Sequence, residues 1–437
     1  MTKFIAAIAA VALVAYIAIH SRAEADAPIH SDGYSYYVYL PATLIYGDAS
    51  LEALAKEWHG GTYPDFTGIR RWPSTGRWMN LHPIGVAILM TPFFLAADLL
   101  SAWSNLPRDG FSLYYQHAAG LAGMAYFVAG LALLYSILIR HFTAAVVLAT
   151  LVCITFGTNL FHYAVFDGTF SHSFSFFLVC AWLILVERWW EEPTRARSVM
   201  LGLVAALIVL TRHTNAIVLP LLPLYGVARA RDLRPRVAAL WQRRRSLLAT
   251  ALVGVAVVLP QLALYKWVTG SWIANSYGVF DVAFAWGSPR LAAVLFSTQK
   301  GLFFWSPLLL LAVFGAIISL FSPRAPSNGT DWTRGLVLAT AVAFAAQTYL
   351  AASWWDWQFG DTYGHRAFTD GLGLAAPFLA LTFEWAATRP LGRRLVPIIA
   401  TAAVLLSIVQ MTQYWIGILP RTNTTWEQYR TLFLRLR

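Results

Sequence analysis

The first residue positioned to do chemistry is Asp32, within the stretch HSDGYSYYVYLP that spans residues 30–41. It comes shortly after the apolar run 4–19, so one carboxylate stands among tyrosines where the chain leaves that run. A carboxylate in apolar surroundings can accept the proton of a hydroxyl group as its oxygen attacks. A plainer interpretation is that Asp32 shapes a local turn with Gly33, as Asp-Gly pairs do. The two roles are compatible.

Further titratable side chains occur in short motifs at the ends of later apolar runs. The motifs are MNLHPIG, FDGTFSHS, TRHTN, STQKG and WWDWQFGDTYGHRAFTD. An ionised group inside a membrane span costs about 2.5–3.5 kcal/mol on insertion scales, so such groups usually face a polar cavity. We therefore expect one pocket to collect Asp32 with His82, Asp167, His172, Arg212, His213, Lys300, Asp356, Asp361, His365, Arg366 and Asp370.

Composition indicates the class of protein that must position these groups. Hydrophobic residues make up 58% of the chain and charged residues 12%, whereas soluble domains have about 25% charged residues. Apolar runs of about 20 residues recur throughout, which predicts an all-α, polytopic integral membrane protein. The net charge of +11 is attributed to basic cytoplasmic loops, not to nucleic-acid binding. Cys153 and Cys180 lie in apolar runs and indicate no disulfide framework.

Hydropathy predicts about eleven transmembrane helices. We place them at residues 4–20, 114–138, 144–164, 171–188, 198–214, 216–228, 246–266, 301–320, 335–353, 370–387 and 395–415. The first run has a second interpretation as a signal peptide, because small residues at Ala23 and Ala25 offer cleavage sites. Its length and the many later spans favour a retained helix.

Residues 83–101 are apolar but contain Pro83 and Pro92. They are either a further span or a re-entrant segment at the membrane surface, and the choice decides the side of every later loop. If they do not cross, the most basic loops, among them residues 229–245 with seven arginines, fall on the side of Lys3. The positive-inside rule then places those loops in the cytoplasm and the Asp32 motifs on the extracytoplasmic face.

The first loop, residues 21–82, contains a predicted surface helix. Asp48 can cap a helix that starts at Ser50. Leu51, Leu54, Ala55 and Trp58 then form an apolar stripe, which predicts a helix lying on the membrane surface. An ordinary loop helix is the alternative.

Five stretches, in chain order, resemble motifs of the GT-C superfamily of integral membrane glycosyltransferases. They are HSDGYSYYVYLP, NLHPIGVAILMTPFFL, FDGTFSHSFSFFL, QKGLFFWSPLLLL and FGDTYGHRAFTD. The pattern covers most of the chain and is similar to the bacterial branch related to protein mannosyltransferases and lipid A aminoarabinose transferases. Two positions differ from that pattern. His82 stands where relatives often have Lys, and Asp32 has only Asp26 nearby where many relatives carry paired acids.

The resemblance implies inverting transfer of a sugar from a polyprenyl-phosphate donor to an acceptor hydroxyl, with Asp32 as general base. A leaving phosphate needs cationic donors, for which the candidates are Lys300, Arg366, His365, Arg212 and His82. Arg212 also fits a snorkelling side chain, and His82 a structural histidine. Candidates for binding sugar or acceptor are Asp167, His172, Tyr34, Tyr277 and Trp355, although the aromatic residues also fit an interfacial belt.

The resemblance also suggests partners and an arrangement in two parts. We expect a polyprenyl-phosphate sugar donor, a lipid, glycan or protein acceptor, surrounding membrane lipids and no nucleic acid. No cofactor is expected, although Asp32, Asp167 and His172 are chemically suited to a divalent metal. Residues 1–266 are expected to form a GT-C-like catalytic module that includes the outer loop, and residues 267–437 to complete the donor-lipid site. The expected location is the cytoplasmic (inner) membrane, with the active site on the extracytoplasmic side.

Three other functions fit part of the pattern. A lipid or glycan transporter or flippase would also have many spans, but it should show an internal repeat with broken helices at the midplane, and the sequence shows no convincing repeat. An O-antigen-ligase-like enzyme would use a diphosphate-linked donor at the same face. A GT-C relative without activity would bind lipid only. The sequence indicates neither the sugar nor the acceptor.

Overall fold

The computed structural model describes residues 2–21, 27–280, 282–321 and 332–435, without the side chains of residues 333 and 334. The candidate cleavage sites Ala23 and Ala25, together with Asp26, lie outside the described residues. Most of the basic loop 322–334 does so as well. Apart from one small hairpin, the regular structure of the described residues is helical, as predicted.

The first part of the chain forms a long helix, a loop of short elements and then further long helices. Its elements are α1 (Thr2–His20), α2 (Ser31–Tyr37), α3 (Tyr39–Leu44), α4 (Glu52–His59), β1 (Ile69–Arg71), β2 (Trp78–Asn80), α5 (Gly85–Trp103), α6 (Leu113–Leu138), α7 (Ala144–Phe156), α8 (Leu160–Val165), α9 (Ser171–Glu191) and α10 (Arg195–Thr211).

The second part alternates short and long helices. Its elements are α11 (Leu221–Leu224), α12 (Leu233–Gln242), α13 (Arg244–Thr269), α14 (Leu291–Phe296), α15 (Leu302–Trp305), α16 (Leu309–Phe321), α17 (Trp332–Ser353), α18 (Leu372–Ala387), α19 (Pro390–Trp415) and α20 (Trp426–Leu432). Five 3₁₀ turns occur among the described residues, at Asp65–Thr67, His213–Val218, Ala230–Asp232, Ser276–Phe280 and Arg366–Gly371.

Seven described helices are long and apolar enough to cross a membrane, which is typical of a helical membrane protein: α1, α5, α6, α9, α13, the 335–353 part of α17, and α19. The total of about eleven crossings stays a prediction. Three of the predicted spans are not continuous helices. The 144–164 segment breaks after Phe156, the 216–228 segment contains only a 3₁₀ turn and α11, and the 301–320 segment breaks at Ser306. Glycine and proline explain the breaks, since Gly157, Pro220 and Pro307 stand at these points.

The helices have two recognisable ends. At one end, Arg140 pairs with Glu187, and Arg236 lies 3.8 Å from the ring centroid of Trp190. The 226 amide donates to the carbonyl of residue 335 there, at 3.0 Å. We call this the arginine-rich end. At the other end, Asp32 and Arg366 meet, and we call it the site end. The described basic segments around Arg140 and Arg236 therefore lie together, at the ends of α6 and α9 that are opposite to the Asp32 motifs.

Residues 83–101 form helix α5, which is long enough to cross a membrane. Whether it crosses stays a prediction, but its contacts show where it lies relative to α6. The Tyr126 hydroxyl donates to the carbonyl of Leu89 at 3.0 Å, and the Tyr115 hydroxyl donates to Asp98 at 2.6 Å. Helix α5 therefore runs antiparallel to only the first half of α6. Near the end of α1, Tyr16 bonds His117 at the start of α6 at 3.1 Å, so the end of α1 and the start of α6 lie together. We therefore expect the described residues between α1 and α6 to lie on one side of the membrane.

The predicted helix in the first loop is present as α4, and Asp48 accepts hydrogen bonds from the backbone N–H groups of Ser50 and Ala53, both at 2.8 Å. Its environment was predicted wrongly. Leu54 and Ala55 are fully buried, and in the stripe only Trp58 is largely exposed, at 43%. The stripe packs into the protein because the rest of the loop folds over it, so the alternative of an ordinary loop helix fits better than a helix on lipid.

The hairpin was not predicted from sequence. Strands β1 and β2 pair antiparallel, with Ile69 opposite Asn80. The Asn80 side chain donates to the carbonyl of Ser35 at 2.7 Å and accepts from the His82 amide at 3.0 Å. The hairpin thus fixes the segment that carries His82 against α2.

One hydrophobic core joins residues from Ile8 to Tyr429. The predicted division of the chain into two parts at residue 266 stays a prediction.

Thiol labelling tests the placement of α5. Cys153 and Cys180 are buried, so single cysteines introduced at exposed positions can be read individually. We expect Lys56→Cys and Ser104→Cys, one on each side of α5, to react with a membrane-impermeant maleimide from the same side. Arg393→Cys, near the start of α19, should react only from the opposite side. Labelling of positions 56 and 104 from opposite sides would contradict this arrangement.

Candidate functional site

The candidate site is a partly open cavity of about 110 Å³ at the site end. Its walls come from segments far apart in the sequence: α2, the turn after β2, the starts of α9 and of the 213–218 turn, and the loops before α14 and α18. The lining residues are Asp32, Tyr36, Leu81, His82, Pro83, Phe170, Ser171, His172, Arg212, His213, Thr214, Tyr277, Phe359 and Arg366. The cavity has room for a small polar group.

An ion pair lies at the centre of the cavity. Arg366 Nη1 is 2.7 Å from Asp32 Oδ2, and the two side chains are 16% and 28% exposed. Burial raises the pKa of Asp32, but the charge and the hydrogen bond of Arg366, together with the charge of Arg212, outweigh it, so the pKa lies below its usual range. The sequence placed the two residues in one pocket, as the structure does. It did not anticipate that they would contact each other directly.

Close packing of α2 positions Asp32. A Cβ atom on Gly33 would lie 2.0 Å from Thr169 Oγ1, so α2 touches the turn that follows α8. Thr169 is fixed there because its hydroxyl donates to the carbonyl of Pro28 at 2.9 Å. Gly33 is therefore needed for close approach, and Asp32 lies in the first turn of α2 instead of in the predicted Asp-Gly turn.

His82 lines the cavity as a neutral residue. Ser35 Oγ donates to the carbonyl of Asp32 at 2.9 Å, and His82 Nδ1 lies 2.6 Å from that same Ser35 oxygen. The Ser35 hydroxyl has one proton, so it can donate to only one of these two partners. Burial lowers the pKa of His82 to about 4, so the ring is neutral at neutral pH. A neutral His82 supplies no positive charge to a phosphate, whereas a neutral imidazole can accept a hydrogen bond from a hydroxyl.

A second charged cluster forms the wall beside the ion pair. His172 Nδ1 lies 2.7 Å from Asp370 Oδ1, and Arg212 Nη1 lies 3.6 Å from Asp370 Oδ2. The Arg212 side chain is 15% exposed and faces the cavity, so it does not snorkel. Asp370, which sequence reasoning gave no role, holds both residues in place. Its place in the motif GHRAFTD, four residues after Arg366, was an available signal.

Asp167 lies in a separate network behind the cavity. His162 Nε2 is 2.9 Å from one Asp167 oxygen, and His30 Nε2 is 3.2 Å from the other. Trp415 Nε1 donates to His162 Nδ1 at 2.9 Å. His30 also contacts the carbonyl of Ala27 through Nδ1 at 2.7 Å. His30 therefore lies between two acceptor oxygens, one of Asp167 and one of the backbone. Asp167 thus ties α19 to the segment before α2 and does not face the cavity.

Two predicted phosphate ligands lie outside the cavity lining. Lys300 is 2% exposed, and its Nζ donates to the carbonyls of Thr362 and, at 2.7 Å, Arg421. Burial lowers its pKa to about 7. His365 is also 2% exposed, and burial lowers its pKa to about 3. Lys300 therefore ties two loops together, and a neutral His365 supplies no charge to an anion. Sequence motifs locate such residues but do not say which way they point.

The predicted sugar or acceptor ligands divide in the same way. Tyr277 and His172 line the cavity. The Tyr34 hydroxyl instead bonds His59 Nε2 at 2.7 Å, and its ring stacks on Phe111. Trp355 is 54% exposed and touches Trp354 outside the cavity.

A large apolar groove adjoins the cavity and was not foreseen. Its volume is about 350 Å³, and α16, α17 and α18 form most of its walls. Arg366 and Thr214 line the cavity, while their chain neighbours Ala367 and Asn215 line the groove. Asp370 also lines the groove. One layer of residues therefore separates a charged cavity from a groove suited to a hydrocarbon chain.

Comparison with protein-family models finds none that matches the chain. Comparison with curated proteins finds no significant match. The family resemblance of the motifs therefore stays a prediction. Within the part of the chain that the structure describes, no group of three or more His, Cys, Asp or Glu side chains is arranged to hold a metal ion. The expectation that no cofactor is needed also stays a prediction.

Replacing Gly33 tests how α2 positions Asp32. Gly33→Ala should force α2 away from Thr169, and overpacking of this kind costs about 1–3 kcal/mol. Gly278→Ala is the matched control, since its Cβ would meet only Trp72 at 3.7 Å. We expect a lower thermal unfolding midpoint in detergent for Gly33→Ala alone. Equal midpoints for the two variants would show that α2 can shift without cost.

Proposed function

We propose that the protein is an integral membrane glycosyltransferase, which moves a sugar from a polyprenyl-phosphate donor to an acceptor hydroxyl. The observation that carries this proposal is the pairing of a charged cavity, built around Asp32 and Arg366, with the apolar groove of α16–α18. A phosphate with a long hydrocarbon tail has the same two parts. The resemblance of the five motifs to the GT-C superfamily supports the same class of reaction.

In this mechanism the acceptor oxygen attacks the anomeric carbon of the donor sugar. Asp32 takes the hydroxyl proton as the new C–O bond forms. The bond from the anomeric carbon to the phosphate oxygen breaks, and its electron pair leaves with the polyprenyl phosphate. A single displacement of this kind inverts the anomeric centre. A general base of this type contributes about 10²–10⁴-fold to the rate.

The leaving phosphate gains negative charge as that bond breaks. Arg366 and Arg212 both line the cavity, and arginine can hold two phosphate oxygens at once. His82 and Tyr277 line the same space, and both side chains can hydrogen-bond sugar or acceptor hydroxyls. The proposed site therefore consists of Asp32, His82, Arg212, Tyr277 and Arg366. The proposed location is the inner membrane, with the site end facing outward because the arginine-rich end fits the cytoplasmic side.

Transfer activity is the direct test of the proposed base. Asp32→Asn should lower sugar transfer from radiolabelled polyprenyl-phosphate sugars into lipid, polysaccharide or protein by at least 10²-fold. Asp65→Asn is the matched control, because Asp65 belongs to the same loop and its side chain is 100% exposed. The control should retain full activity. Full transfer by Asp32→Asn would remove Asp32 from the mechanism.

Phosphate binding tests the assignment of the cations. Polyprenyl phosphate without a sugar should bind the wild-type protein more tightly than the uncharged polyprenol does. Arg366→Met should abolish that preference, while Lys300→Met should keep it because Lys300 bonds backbone carbonyls instead. Scintillation proximity binding with tritiated lipid measures all six combinations of the three proteins and two lipids. If only Lys300→Met lost the preference for polyprenyl phosphate, Lys300 and not Arg366 would be the residue that binds the phosphate.

One observation favours an alternative. Asp32 is already paired with Arg366, and its pKa lies below the usual range, so in the unliganded protein it is a weak base. A GT-C-like protein that binds lipid without catalysis would have such a pair. The two functions differ in the transfer assay, since a lipid-binding protein would show phosphate-dependent binding and no transfer with any donor.

A further inference from the structure

Arg366 is incompletely bonded in the unliganded protein. Its guanidinium group has five N–H donors, and it contacts Asp32 through Nη1. Its Nε atom is buried and has no hydrogen-bond partner among the described residues. A pair built only for stability would be expected to use the two-pronged geometry that arginine and carboxylate favour. The unused buried donor indicates that the guanidinium group is shaped for a second anion.

The surroundings of Arg366 hold it at the cavity while leaving the contact with Asp32 exchangeable. The guanidinium carbon lies 5.9 Å from the ring centroid of Phe170 and 5.6 Å from that of Phe359. Both rings line the cavity. Asp32, in contrast, is 28% exposed on a short helix. Of the two partners, the carboxylate is therefore the one that can turn away.

The proposed reaction places conflicting demands on this pair. Arg366 must contact the phosphate, and Asp32 must be free to take a proton. While Asp32 is bonded to Arg366, neither demand is met. Arg212 is already drawn toward Asp370, with 3.6 Å between the charged groups, so it does not replace Arg366.

We propose that the donor phosphate displaces Asp32 from Arg366, so that the carboxylate becomes a competent base only when the donor is bound. This inference rests on the proposed function. Two phosphate oxygens would bond Nε and a terminal nitrogen of Arg366 in the two-pronged arrangement that Asp32 does not use. The released carboxylate would then lie beside an anion instead of a cation, which favours its protonated form and makes it more basic.

The consequence for catalysis is an ordered sequence of binding. Without donor, the ionised Asp32 carboxylate stays paired with Arg366 and does not activate water or an acceptor hydroxyl. With donor, the same phosphate that becomes the leaving group frees the base. Asp32 therefore has a second role as the internal anion that fills the phosphate position in the resting protein.

A binding measurement tests this displacement without requiring the sugar or the acceptor. The probe is polyprenyl phosphate, with polyprenol as the uncharged control, and the protein is the full chain in nanodiscs. Because Asp32 competes with the phosphate, Asp32→Asn should bind polyprenyl phosphate at least tenfold more tightly than wild type. Its affinity for polyprenol should not change. Asp32→Ser, which also removes the carboxylate, provides a second variant if Asp32→Asn folds poorly.

A double-mutant cycle separates displacement from simple charge repulsion. Competition for Arg366 predicts that the gain from Asp32→Asn disappears in the Arg366→Gln background. Repulsion between Asp32 and phosphate through space would leave the gain in both backgrounds, and that result would overturn the proposal. Unchanged or weaker binding by both Asp32 variants would also overturn it, while the proposed function would stand if wild type still prefers the phosphate. If no variant distinguishes polyprenyl phosphate from polyprenol, the proposed function fails as well.

Discussion

The contact between Asp32 and Arg366 is the constraint on which the site depends. It joins the helix that follows the first apolar run to the turn before α18, two segments from opposite parts of the chain. Taking charges out of water is costly unless they are paired. Each residue therefore requires the other, and the segments that carry them must meet. The remaining walls of the cavity are arranged around this contact.

Much of the architecture follows from sequence because it depends on composition and charge. Apolar runs give the long helices, and the positions of the arginines separate the two ends of the bundle. Irregular helices were harder to predict. The predicted 144–164 span fails because Gly157 ends a helix that hydropathy alone extends, and proline does the same at Pro307. Average hydropathy does not register a single residue that interrupts the backbone hydrogen bonds.

The site was predictable as a set of motifs but not as a set of contacts. Asp32, Arg366, Arg212, His172, His82 and Tyr277 were singled out by residue type and do line one cavity. Lys300 and His365 were singled out on the same grounds and face elsewhere. The difference arises from which backbone carbonyls and rings lie nearby, and these belong to distant segments. For His82, even the charge depends on these segments, because burial among them lowers its pKa to about 4.

The late position of Arg366 in the chain has a consequence for biosynthesis. Domains and helices emerge in order from the ribosome, so Asp32 enters the membrane region long before its counterion is synthesised. Until the segment around residue 366 is inserted, the nascent chain carries an unpaired carboxylate next to its first helix. The partners of Asp167, His162 and His30, precede it in the chain. They are therefore already synthesised when Asp167 is added. The charged centre therefore forms only after most of the chain has been made, with α18, α19 and α20 still to follow.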